Sequence, residues 1–208
     1  MSITVLARRT GYPGLETALL AAMVQRLIQA TPQHEAMQTA GLFQSITAPT
    51  EVLYIADWES REAHAARVQE NRVDETLAPL SAGEPVRYFL HGWVSYELPG
   101  ARLGAVDCAI INSTPARREP LHAFLLRKAA VEVRAEPGFC YRRIYRDLDQ
   151  PDRLVIVHGW TSPAAMQAFL RKLQPGLEVE LRALGVTVES FIGVMHTEMM
   201  GQAASSTA

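Results

Sequence analysis

The chain writes the same strand-to-helix passage twice. Glu51-Val-Leu-Tyr-Ile-Ala-Asp-Trp-Glu-Ser60 and Arg153-Leu-Val-Ile-Val-His-Gly-Trp-Thr-Ser162 each run through an apolar strand to a Trp, then to a small hydroxyl residue that can cap a helix. Trp58 and Trp160 stand 102 positions apart, about half of the 208 residues. A repeat of that period points to two copies of one fold in tandem.

The segments around the repeat support this. In the first half, a strand over Ser2–Arg9 precedes Leu15–Ala30, whose apolar residues have helical spacing, and Thr31-Pro32 ends or kinks that helix. His34–Ala40 reads as one or two further helical turns, and Leu42–Thr47 as the next strand after Gly41. The key strand Glu51–Trp58 leads to a helix over Arg61–Arg72 and a strand over Val86–Tyr96. The second half repeats the order: strand Leu103–Ile111, helix Glu119–Ala135, strand Phe139–Arg146, strand Leu154–Trp160, helix Ala164–Leu173 and strand Val186–Met195. That last helix is expected to break at Pro175-Gly176 and resume through Leu184.

Each half therefore reads strand, helix, strand, strand, helix, strand, the ferredoxin-like βαββαβ order. Both faces of the key strands are apolar, so both require cover, and the simplest cover for one sheet is the other. The expected fold class is α+β: tandem ferredoxin-like domains over residues 1–98 and 101–197, with antiparallel sheets packed as an internal pseudo-dimeric α/β barrel. Residues 198–208 are expected to form a disordered polar tail.

Composition narrows the function. A formal net charge of -2 with no basic stripe gives nucleic acid and anionic membranes no electrostatic footing. No apolar run approaches the roughly 18 residues of a membrane span, and the N-terminus lacks a signal-peptide pattern. Cys108 and Cys140 are the two cysteines, without metal-ligand spacing, which fits a reducing compartment and a cytoplasmic protein. There is no phosphate loop, dinucleotide fingerprint, serine nucleophile elbow or zinc spacing.

The chain resembles the antibiotic biosynthesis monooxygenase family of dimeric α/β-barrel proteins. The residues that carry the resemblance are Gly41-Leu-Phe43, Leu53-Tyr-Ile-Ala-Asp-Trp-Glu-Ser60 and Arg61-Glu-Ala-His64 in the first copy. In the second they are Glu136-Pro-Gly-Phe139, Val155-Ile-Val-His-Gly-Trp-Thr-Ser162 and Pro163-Ala-Ala-Met166. The resemblance implies a cavity between sheet and helices in each half. In family members such a cavity holds an aromatic polyketide, a quinol or heme, oxidised without flavin or a bound metal. It also implies that Trp58 and Trp160 line those cavities. Heme degradation is weakened, because Arg8 or Arg9 stands near the first-strand asparagine position and Asn112 reaches it only at a strand edge. His64 falls one turn too early in its helix, and Ala164–Leu173 has no histidine.

His158 lies two residues before Trp160 and shares its strand face, so it is the candidate catalytic base for a phenolic proton. The plainer reading is a partly buried histidine bonded to a backbone carbonyl. Trp58, Trp160 and Tyr54 are candidates for stacking an aromatic ligand, against plain core packing. His91 and Trp93 repeat the His-Gly-Trp triplet on another strand and are candidates to reach the cavity, as is Asn112. Tyr141 and Tyr145 share one strand face, with Arg142 opposite as a solvated surface charge. Cys140 reads as a small buried hydrophobe, and Glu132 with Glu136 as an exposed helix end. These residues favour a cofactor-independent monooxygenase whose partners are a small aromatic or quinol-like molecule and dioxygen. The alternatives are a non-catalytic ligand-binding or interaction protein of the same fold, and then a heme protein. Both a monomer and a homodimer fit the doubled fold.

Overall fold

The repeated passage folds as its residues dictate. In both copies the apolar strand ends at the Trp, and the following Ser takes an extended backbone with φ near -159° at Ser60 and -156° at Ser162. Its hydroxyl accepts from the free backbone N–H three residues on, Ala63 N to Ser60 Oγ and Ala165 N to Ser162 Oγ, each at 3.2 Å. The computed structural model describes residues 2–29 and 36–200. The elements are β1 (Ile3–Thr10), α1 (Glu16–Met23), β2 (Met37–Ser45), β3 (Glu51–Trp58), α2 (Arg61–Glu70), α3 (Val73–Leu77) and β4 (Val86–Glu97). Then follow β5 (Ala105–Asn112), α4 (Arg118–Phe124), α5 (Ala130–Arg134), β6 (Phe139–Asp147), β7 (Arg153–Trp160), α6 (Pro163–Lys172), α7 (Gln174–Ala183) and β8 (Thr187–Met200).

The chain divides into two compact units, one up to His91 together with the stretch from Met195, the other Gly92–Val194. Within the first, the strand order is β4-β1-β3-β2, and within the second β8-β5-β7-β6, the antiparallel ferredoxin-like order in each case. Each unit thus joins an antiparallel four-stranded sheet to helices, so the fold class is the α+β tandem ferredoxin-like type expected from the sequence.

Three local expectations are corrected. Residues 37–40 are the start of β2, not helix, because Met37 and Ala40 pack into the core beside Trp58 and Ala56. The helix after β7 breaks at Leu173, not at Pro175-Gly176. Pro175 sits in the first turn of α7, where its missing N–H has no intrahelical partner to lose. Both helices expected after a first strand include a π-helical stretch, Val24–Gln29 following α1 and Leu125–Ala129 between α4 and α5. The Thr31-Pro32 break, His34 and the tail beyond Met200 lie outside the described residues.

Both copies carry a β-bulge at one repeated position, between Met37 and Thr39 in β2 and between Phe139 and Tyr141 in β6. An extra residue shifts the alternation of side chains, so residues three apart, Phe139 and Arg142, share the helix-facing side. Gly138 prepares this turn with φ +79°, and a Cβ there would come within 2.5 Å of the Ala165 Cβ on α6.

The cores differ. In the first unit a single apolar cluster runs under the helices from Trp58 past Ala56 to Val52, including Val5 and Ala40. In the second, the equivalent layer is split in two: Trp160, Phe139, Met166 and Phe169 on one side, Ile156, Leu154, Ile111, Leu121 and Leu125 on the other. A polar row separates them.

Candidate functional site

That row crosses three neighbouring strands. Register places Asp107 of β5 opposite His158 of β7, and His158 opposite Arg142 of β6. All three are buried, at 8%, 7% and 2% exposure. His158 Nδ1 lies 2.8 Å from Asp107 Oδ1, the Trp160 indole Nε1 donates to Asp107 Oδ2 at 2.6 Å, and Arg142 Nε donates to His158 Nε2 at 3.2 Å. An arginine only donates, so Nε2 must be the accepting nitrogen and the neutral ring carries its proton on Nδ1, pointing at Asp107. Both imidazole nitrogens are therefore engaged, and no His158 lone pair faces the space beyond.

The row forms the head of a cavity of about 80 Å³ between sheet and helices. Ile111, Leu125, Ile156 and Phe169 supply apolar walls; Gln174 and Glu178 of α7 and Ser190 of β8 stand at its rim. Arg142 makes its one hydrogen bond through Nε, no partner of its two terminal nitrogens is found among the described residues, and its side chain lines this cavity. Burial lowers the guanidinium pKa to about 10, helped by the nearby Arg134 and opposed by Asp107, so it stays cationic at neutral pH.

The expected residues fall into place unevenly. His158 lines the cavity, but its partner is a side-chain carboxylate rather than a backbone carbonyl. Trp160 is fully buried and is not a cavity wall. It packs against Phe169 with ring centroids 4.8 Å apart, and its N–H holds Asp107. Trp58 and Tyr54 are likewise core residues of the first unit. His91 is exposed, Trp93 packs on His122 at 4.3 Å, and Asn112 Oδ1 accepts from Arg153 Nε at 2.9 Å; none of them touches the cavity. Tyr141 lies on the other sheet face, where its ring fills the space a side chain at Gly159 would occupy. Arg142 is no surface charge, because the β6 bulge turns it inward. Asp107 went unnoticed, although a lone carboxylate inside the apolar run Ala105–Ile111 is a signal of its own.

The first unit lacks the row. Val5 and Ala40 face Ala56 where Asp107 and Arg142 face His158. With valine in the carboxylate's place, Trp58 Nε1 is buried without a hydrogen bond, and the nearby Tyr54 hydroxyl donates to Met37 Sδ at 3.5 Å instead. A different feature stands here: a cleft of about 350 Å³ lined by His64, Val68, Arg72, Asp74, Arg87 and Phe89. His64 is 5% exposed, with its ring edge-on to Trp58 at 5.3 Å and to Phe89 at 5.7 Å. Burial first, then Arg87, lowers its pKa from 6.5 to about 4. Below pH 6.5 the unfolded chain binds a proton that the folded chain refuses until about pH 4. The contribution to stability is thus complete above pH 6.5 and is lost as the pH falls towards 4, by roughly 3 kcal/mol at 1.4 kcal/mol per pK unit. Urea unfolding at pH 7 and pH 4.5 is expected to show this loss in the native protein and to lack it in His64→Leu.

Among the described residues, no cluster of three or more His, Cys, Asp or Glu is placed to hold a metal ion, and no helix is long and apolar enough to cross a membrane. The model of the family described as antibiotic biosynthesis monooxygenase matches residues 2–78 and 110–173. No curated protein sequence matches the chain. Solved structures similar to it include an anthrone oxidase-like protein, 14% identical with a TM-score of 0.75 over 100% of this chain and 96% of the other. A candidate monooxygenase from Fusobacterium nucleatum is 7% identical, with a TM-score of 0.75 over 96% and 94% of the two chains. Another from Lactobacillus acidophilus is 12% identical, with a TM-score of 0.69 over 96% of each. At these identities the likeness is one of fold.

Proposed function

The chain belongs to the antibiotic biosynthesis monooxygenase family, and from that premise we propose that its second half oxidises a small aromatic compound that reacts as its anion: an anthrone, a phenol or a hydroquinone. One observation carries the reading. A buried guanidinium, held through Nε by the Asp107–His158 pair, lines an apolar cavity, and no partner of its two terminal nitrogens is found among the described residues. In low-dielectric surroundings such a charge favours the deprotonated substrate, the form that gives an electron to dioxygen. For an anthrone the balance is one ring CH2 and one O2 giving one C=O and one water. The substrate's proton leaves towards the rim, where Glu178 and solvent can accept it. His158 acts in this reading as a positioning residue: its Nε2 holds Arg142, and Asp107 holds the ring. The anthrone oxidase-like neighbour supports anthrone as the first probe.

One observation favours a non-catalytic ligand-binding role instead. The cavity, at about 80 Å³, is smaller than the roughly 150 Å³ in which a benzene ring is known to sit, so an aromatic ring enters only if the wall near α7 moves outward. Heme gains no support from this cavity, given its size and a histidine with both nitrogens engaged. The deciding experiment follows anthrone conversion to anthraquinone by absorbance, with oxygen uptake, for purified protein in air and under nitrogen. Oxygen-dependent turnover well above the buffer rate supports the enzyme. Saturable anthrone binding at the buffer rate leaves the ligand-binding reading in its place.

A further inference from the structure

The first-unit cleft has the makings of a second site with different chemistry. At about 350 Å³ it falls in the size range of small-molecule pockets, roughly 300–1,000 Å³. Its walls are mixed: the Phe89 ring and Val68 are apolar, while Arg72, Arg87, Asp74 and His64 are polar. Arg61 covers one side of the Phe89 ring, its guanidinium carbon 3.9 Å from the centroid.

Three independent features mark the cleft as built. The His64 ring makes no hydrogen bond among the described residues, though it is nine-tenths buried and borders the cleft. Its ring nitrogens are not among the buried atoms left without a partner, so solvent reaches them, and His64 lines the cleft. Asp74 faces two guanidiniums, those of Arg9 at 2.7 Å and of Arg87, and one carboxylate does not neutralise both. Glu84 reaches Arg9 only as its weakest electrostatic neighbour. Finally, Arg72 takes φ +50°, the one positive φ outside glycine among the described residues, and its side chain pairs with Glu75 beside the cleft. A non-glycine residue held there is strained, and such strain gathers at functional positions.

We propose that this cleft binds a flat aromatic carboxylate, its ring against Phe89 and His64 and its acid group at Arg87, with the His64 N–H as a second donor. The excess positive charge around Asp74 supplies the counter-charge, and the planar walls select a ring over an aliphatic chain. The second half does not duplicate the site. The positions 102 residues on from His64 and Arg72 are Met166 and Gln174, and the strand position equivalent to Arg87 is Ser190. The two copies have thus diverged into sites of different chemistry. Binding here is independent of whether the second half turns over a substrate.

The test is calorimetric titration of the full chain with 2-naphthoate and with its neutral isostere 2-naphthamide. The carboxylate is expected to bind at least about tenfold more tightly than the amide, since a charge-assisted hydrogen bond is roughly twice as strong as a neutral one. Arg87→Gln should erase that preference, Phe89→Leu should weaken both ligands, and Arg142→Gln should change neither. The wild-type comparison needs no variant, so a poorly folding Arg87→Gln leaves the test intact. Shifts of the His64 ring resonances on adding naphthoate would place the ligand. Equal affinity for acid and amide, no binding at millimolar ligand, or binding lost in Arg142→Gln would each overturn the proposal.

Discussion

Arg142→Gln is expected to lower kcat/KM for anthrone oxidation by about two to three orders of magnitude, the range found when one preorganised donor to a developing oxyanion is removed. The variant keeps a side chain that can donate to His158 but loses the charge that favours the substrate anion. The loss should appear mainly in kcat, because a neutral substrate gains little from the guanidinium before it ionises. The pH profile should move too, with activity in the variant rising only at more alkaline pH, where the substrate ionises unaided. Arg142→Lys should recover part of the rate, since a lysine supplies the charge without the planar fork that His158 orients. The opposite result has a clear meaning. If His158 were the base, activity would survive in Arg142→Gln, and His158→Ala alone would abolish turnover. Steady-state rates for the three variants across pH 6–10 decide between the two.

Asp107→Ala is expected to destabilise the fold by about 3–5 kcal/mol, the cost of leaving a buried charge without its partner. Asp107 accepts from both His158 and Trp160 and is the carboxylate that offsets the burial of Arg142. Removing it strands one cation and one indole N–H together. Native domains hold only roughly 5–15 kcal/mol in reserve, so the variant should unfold at markedly lower urea concentration. The combined variant Asp107→Leu, His158→Leu, Arg142→Met removes the whole row instead of one member. It should recover most of the loss, because buried ion networks are often matched by apolar residues of similar volume. A single-variant loss below about 1 kcal/mol would mean that Arg142 is hydrated, not buried, in solution.

The key strands could be read to within one residue because three signals coincide there: an apolar run, a Trp at its end and a capping Ser. The functional row was only half legible. His158 and Trp160 share a face by simple alternation, and that much follows from sequence. Arg142 does not yield to alternation, because the bulge at Cys140 inserts one residue and exchanges the faces of everything after it. A bulge has no composition of its own here, since Phe139-Cys-Tyr141 reads as ordinary strand. Asp107 was hidden for a different reason. Its partner is 51 residues away, and their meeting depends on the register of two strands that only the folded sheet sets. Residues 37–40 were misread because Met37 and Ala40 fit a helical spacing as well as a bulged strand.

The contrast between Val5, Ala56 and Ala40 in one unit and Asp107, His158 and Arg142 in the other bears on how such a chain can evolve. A two-fold symmetric pair of identical chains must write every residue twice, so a destabilising polar row would weaken both copies at once. Joining the copies in one gene breaks that obligation. One half can remain an apolar layer while the other carries a charged interior, so the cost of the row falls once per chain instead of twice. Mutational tolerance should therefore be lopsided, with new polar residues at the helix-facing strand positions of the Val5 half costing that half an apolar layer that the other half has already given up.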